Sequence, residues 1–162
     1  MNPLTRSFHT SRAVAALAFI LAVPLVAHAD GKHGRGVPLL PAYQQECASC
    51  HVAYPPGLLP AASWQELMNN LPRHFGVDAS VDAAARTELS AWLTANSSRR
   101  SFSGGRPPED RITRSDWFVR EHREVPSHTW KLPAVHGASN CAACHTTAEQ
   151  GEFNERNVRL PR

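Results

Sequence analysis

All four cysteines of the 162-residue chain fall in two segments of one form, Cys47-Ala48-Ser49-Cys50-His51 and Cys141-Ala142-Ala143-Cys144-His145. The pattern C-x-x-C-H is the attachment sequence for c-type haem. Two thiols separated by two residues on a short helix reach the two vinyl groups of one porphyrin as thioethers, and the next imidazole turns under the ring to the iron. Exported disulfides or a redox-active thiol pair account for the cysteines but not for a histidine after both second cysteines. With histidine at roughly one residue in twenty, that coincidence is rarer than about one in three hundred. A zinc site drawing on both pairs would close a far longer loop than such sites use. The expected cofactors are therefore two haem c groups, held by Cys47 and Cys50 and by Cys141 and Cys144, with His51 and His145 as proximal iron ligands.

The start of the chain reads as an export signal. Arg6 and Arg12 precede an apolar run from Ala13 to Val26, broken at Pro24, and Ala27-His28-Ala29 offers small residues before Asp30. That run is short of the 20 or so residues that span a bilayer comfortably, so cleavage after Ala29 and a periplasmic protein of residues 30–162, with no membrane span left, are expected. Arg6 and Arg12 account for two of the 17 basic residues, and the remainder is nearly balanced against 14 acidic ones. No basic surplus points to nucleic acid. A chain this small and rich in Pro and Ser needs something besides apolar side chains to complete its core. Two haems fill that need.

The ligand opposite each proximal histidine decides between electron carriage and small-ligand chemistry. Once Met1 leaves with the leader, Met68 is the only methionine, so at most one iron can have His/Met ligation. The spacing of Trp64, Leu67, Met68 and Leu71 predicts a helix over residues 62–71 with Met68 in its apolar stripe, where packing is the commoner role. A short helix over 42–51 is expected to carry the first motif. Pro72 ends the 62–71 helix, and His74 follows it beside Phe75 and Gly76, with enough chain after His51 to return to the opposite face of a ring. His74 is assigned as the distal ligand of the first haem. A helix over 81–95, capped by Ser80, completes this region.

Gly, Pro and Ser dominate the stretch that follows, and residues 99–110 are taken as a linker between a first haem lobe, 30–98, and a second, 111–162. Ser115 and Asp116 open a predicted helix to about Glu124, stopped by Pro126, with Phe118, His122 and Val125 on one face. A histidine in such a stripe is either a satisfied core residue or a ligand, and with an iron in want of a partner His122 is the favoured ligand for the second haem. His128 is its rival. His136 lies too near His145 for the chain to pass easily around the ring, and His33 belongs to a solvated terminus. Arg111, Arg114 and Arg120 can pair with haem propionates through their forked donors, although solvated surface charge is the commoner fate of such residues. The order of motif and distal histidine is reversed between the lobes, so the chain is not a duplicated single-haem module.

Several segments together resemble the small soluble dihaem cytochrome c family of bacteria. They are Trp64 to Asp78 with His74-Phe75-Gly76, Arg111-Ile112-Thr113 with Trp117-Phe118 and His122, and Asn140 to His145 with the tail Asn154 to Pro161. The resemblance implies a mainly α, two-lobe protein with much irregular loop, its core built around two covalent haems. It pairs His51 with His74 and His145 with His122 as axial ligands. It also implies a carrier, not an enzyme, that takes electrons from a membrane cytochrome b and reduces an oxygen-binding monohaem c-type cytochrome. A monomer is expected. The alternative in another class is a peroxidase-like enzyme, small-ligand reductase or gas-binding protein with one open haem. Two imidazoles on each iron favour low-spin centres that reorganise little on electron transfer, at potentials below those of His/Met cytochromes.

Overall fold

The computed structural model describes residues 37–99 and 106–161; the expected leader, His33 and half of the expected linker lie outside them. Backbone contacts group Lys32–Arg162 into one compact unit. The architecture is mainly α, with four short helices among the described residues joined by 3-10 turns and irregular chain. Isolated bridges, His74 with Val77 and His145 with Val158, are the only β pairing among the described residues.

Helix α1, Pro41–Cys47, opens on a proline, whose missing N–H costs nothing in the first turn. It closes with the Ala48 N–H donating to the Gln44 carbonyl at 3.0 Å. Cys47 is thus the last helical residue, and Cys50 and His51 lie beyond it. The second motif has a single 3-10 turn, Cys141–Ala143, held by the His145 N–H on the Cys141 carbonyl at 2.9 Å. Neither motif sits within the helix expected of it. Segments this short gain too few backbone bonds to repay helix nucleation.

Helices α2, Ala61–Asn69, and α3, Ala83–Ala95, pack together and enclose the main core with Tyr43, Ala53, Leu59, Trp64, Met68, Leu71, Leu89 and Leu93. The Trp64 indole N–H is satisfied by the Pro56 carbonyl at 2.7 Å. Met68 is 5% exposed within this cluster, so its thioether serves packing. The cap of α3 is Asp82 and not Ser80: the Asp82 carboxylate accepts from the Ala85 N–H at 2.8 Å, while Ser80 bonds back to the Asp78 carboxylate. The helix starts two residues later than expected, and a cap must reach N–H groups two or three positions ahead.

Helix α4, Asp116–Glu121, is shorter than its apolar stripe suggested. His122 leaves helical geometry, and Pro126 disfavours helix in the residue before it. Ser115 is 2% exposed; its Oγ accepts from the Phe118 N–H at 3.1 Å and donates to the Ile112 carbonyl at 2.8 Å. Ser115→Ala strips the Phe118 N–H of its partner and leaves the Ile112 carbonyl only the Ser115 backbone N–H, at the foot of the helix that His122 follows. A loss of about 1–2 kcal/mol is expected, read as a lower midpoint in thermal unfolding.

Candidate metal centres

The histidines come together in two pairs. The ring centres of His51 and His74 are 6.2 Å apart at 27°, and those of His122 and His145 are 6.1 Å apart at 67°. An ion bound between the facing nitrogens of two imidazoles, at about 2.0–2.1 Å from each, sets the ring centres roughly 6 Å apart. Both pairs have that spacing.

Local chain geometry explains the first pair. After α2, the turn Leu71–Arg73 delivers His74. The turn His74-Phe75-Gly76-Val77 is then closed by the Val77 N–H on the His74 carbonyl at 3.1 Å. Phe75 and Gly76 have φ of 49° and 101°, the left-handed pair of a type I′ turn, which suits Gly76 and strains Phe75. Phe75 meets the His74 ring edge-on at 4.8 Å, and the Arg111 guanidinium covers the Phe75 ring at 4.2 Å. Across from it, His51 stacks on Tyr54, with centres 4.6 Å apart and planes 16° from parallel.

The second pair is built from α4 and the chain terminus. His122 follows α4 and stacks on Phe118 at 3.9 Å, with Trp130 at 6.0 Å. His145 contacts Phe153 at 5.3 Å. The tail straps this motif: the Arg159 N–H donates to the Cys144 carbonyl at 2.8 Å, and Thr146 bonds to the Asn157 carbonyl. His128 and His136 are both exposed.

One imidazole in each pair has a defined tautomer. Nδ1 of His51 lies 2.7 Å from the Val52 carbonyl, and Nδ1 of His122 lies 2.9 Å from that of Phe118. A carbonyl only accepts, so Nδ1 donates the proton and Nε2 keeps its lone pair for a metal. The partners His74 and His145 each have a buried Nδ1 with no hydrogen-bond partner. Burial lowers the pKa of both, and for His74 the neighbouring His51 and Arg111 lower it further, as His122 does for His145. Neutral imidazole is the form that binds a metal.

The donor set fits haem better than a bare ion. Protein zinc sites draw on three or four side chains, whereas among the described residues no group of three or more His, Cys, Asp or Glu converges. Haem iron needs only two protein ligands, and two is what each pair supplies. The cysteines are not joined in disulfides. Burial pushes the Cys47 and Cys141 thiols up to about 11, the opposite of an activated redox thiol.

The three arginines singled out in the sequence have carboxylate neighbours. Arg111 and Arg114 both pair with Glu109, and Arg120 pairs with Glu121. Sequence reasoning missed the rings on the histidines that follow the cysteine pairs, Tyr54 beside His51 and Phe153 beside His145. Tyr54, three residues after the first motif, was visible as an aromatic in a breaker-rich stretch; Phe153 had no local signal.

Residues 43–153 match the sequence profile of the family Dihaem cytochrome c. The chain is similar to the X-ray structure of a diheme cytochrome type c from Shewanella baltica, with 35% identity over 77% of this chain and 95% of the other and a TM-score of 0.67. It is also similar to the crystal structure of DHC purified from Rhodobacter sphaeroides, at 44% identity over 73% of this chain and 99% of the other, with a TM-score of 0.63. A second structure, of diheme cytochrome c from Rhodobacter sphaeroides, gives 43% identity over 72% and 98% of the two chains and a TM-score of 0.63. No curated protein matches the chain.

Proposed function

We propose, since this chain belongs to the dihaem cytochrome c family, that it carries electrons on two covalently held haems, each closed by two histidines. The observation that carries this reading is the pairing of His51 with His74 and His122 with His145 at the ring spacing of an imidazole–metal–imidazole unit. Cys47 and Cys50 hold one porphyrin and Cys141 and Cys144 the other, in two lobes of residues 30–98 and 111–162 joined by the linker 99–110. When bound, each haem supplies a one-electron couple at iron.

The chain's own residues keep that couple closed to other chemistry. Val52 and Phe118 carbonyls orient His51 and His122, and Phe75, Phe118, Trp130 and Phe153 pack against ligand rings. Export by the leader, cleaved after Ala29, fits haem attachment outside the inner membrane and a diffusible periplasmic carrier. By family resemblance, the donor is a membrane cytochrome b and the acceptor an oxygen-binding monohaem c-type cytochrome.

The test is spectroscopic. Protein isolated with haem should contain two haems per chain, show low-spin bands in both oxidation states, and bind no carbon monoxide when reduced. Stoichiometric carbon monoxide binding or a high-spin ferrous band would overturn the closed-carrier reading and favour an open-haem enzyme or gas-binding protein.

A further inference from the structure

Among the described residues, Tyr54 is the one aromatic side chain that touches both motif regions. Its ring lies parallel to the His51 imidazole at 4.6 Å. Its hydroxyl donates to the Ser139 carbonyl at 2.7 Å, across 85 residues of sequence and two residues before Cys141. Its backbone is not free to drift either, because its carbonyl accepts the Tyr43 hydroxyl at 3.0 Å. Tyr43 is 3% exposed and packs on Trp92 of α3 at 5.1 Å between ring centres. A residue held from the core, with one end on a candidate ligand and the other on the chain entering the second motif, has two things to position.

We propose that Tyr54 is a positioning residue for both centres. Its ring sets the plane of the His51 imidazole, and its hydroxyl fixes where the second attachment motif lies relative to the first. The physical basis is separable. A flat contact of two rings restricts rotation of the imidazole about its ligand bond, whether or not a hydroxyl is present. The hydroxyl bond is directional and long-range in sequence, and nothing in the ring replaces it. This proposal rests on His51 being an iron ligand, as argued above.

The haem-loaded protein tests it with Tyr54→Phe and Tyr54→Leu. Circular dichroism in the Soret region reads the relative placement of two porphyrins through their coupled transitions. The g-values of low-spin ferric haem, by electron paramagnetic resonance, read the angle between the axial imidazole planes. Tyr54→Phe should change the Soret couplet and leave the g-values as in the parent protein. Tyr54→Leu should change the couplet and also shift the g-values of one haem, with the other unchanged. An unaltered couplet in Tyr54→Phe overturns the proposal, and that variant alone suffices if Tyr54→Leu does not assemble. Unaltered g-values in an assembled Tyr54→Leu overturn the ring's part. Failure of the ligand reading looks different, because the unsubstituted protein would then lack low-spin signals from two haems.

Discussion

Replacing His74 or His122 with Ala is expected to turn one of the two haems high-spin and able to bind one carbon monoxide per chain on reduction, while the other stays low-spin. The effect is large because, on the proposed ligation, each iron has only two protein ligands to lose, and among the described residues no third His, Cys, Asp or Glu converges on either pair. Around the first pair the rings that meet His74 are those of His51 and Phe75, and phenylalanine offers no lone pair. Around the second, Phe118 and Trp130 surround His122, with no acceptor nitrogen between them. Added imidazole should restore the low-spin spectrum by occupying the vacated volume. Optical spectra of the ferrous variants, with and without carbon monoxide, decide the matter. A low-spin spectrum at both haems in His122→Ala, lost only when His128 is also replaced, would move the second ligand to His128; low-spin retention in His74→Ala would sink that assignment.

The double change Cys141→Ser and Cys144→Ser should halve the haem content and melt the region around the second motif before the rest. The reasoning is one of available core. The cluster of Tyr43, Ala53, Leu59, Trp64, Met68, Leu71, Leu89 and Leu93 lies wholly before residue 94. From residue 106 onward, the buried apolar side chains are Pro107, Phe118, Val135 and Ala148. So few buried apolar side chains, one of them alanine, are too little to offset the conformational entropy lost in ordering this part of the chain. A covalently held porphyrin would supply the missing apolar surface beside the His122–His145 pair, whose rings already meet Phe118, Trp130 and Phe153. The variant should keep the far-ultraviolet helix signal of α2 and α3 and lose hydrogen-exchange protection beyond residue 111. Changing all four cysteines to serine should leave a largely unfolded chain. Native-like exchange protection in either variant would show that the polypeptide holds itself together.

Much of the site was legible because its chemistry is local. Thioether attachment and the proximal ligand need residues at fixed short spacing, so five letters carry the information, and they stand twice in this chain. His74 was legible for a related reason. A helix stop at Pro72 and a glycine at 76 mark a turn, and the only nearby histidine sits at its start. Helix ends were read less well. Asp82 caps α3 where Ser80 was expected, since both are capping types two residues apart and only the final start of the helix selects between them. Helix α4 stopped early because a proline's effect on the residues before it is graded rather than sharp.

The amino-acid sequence by itself determined which cofactor the chain is built to carry, how many copies, and which histidines follow the attachment cysteines, because those properties depend on neighbours along the chain. Tertiary structure alone decided which other distant side chains meet: Arg111 over Phe75, and Tyr54 between His51 and Ser139. Such contacts join residues far apart in sequence, and no spacing rule reaches across them. They arise only when α2 and α3 have packed and the later segments have settled where their polar groups and rings find partners.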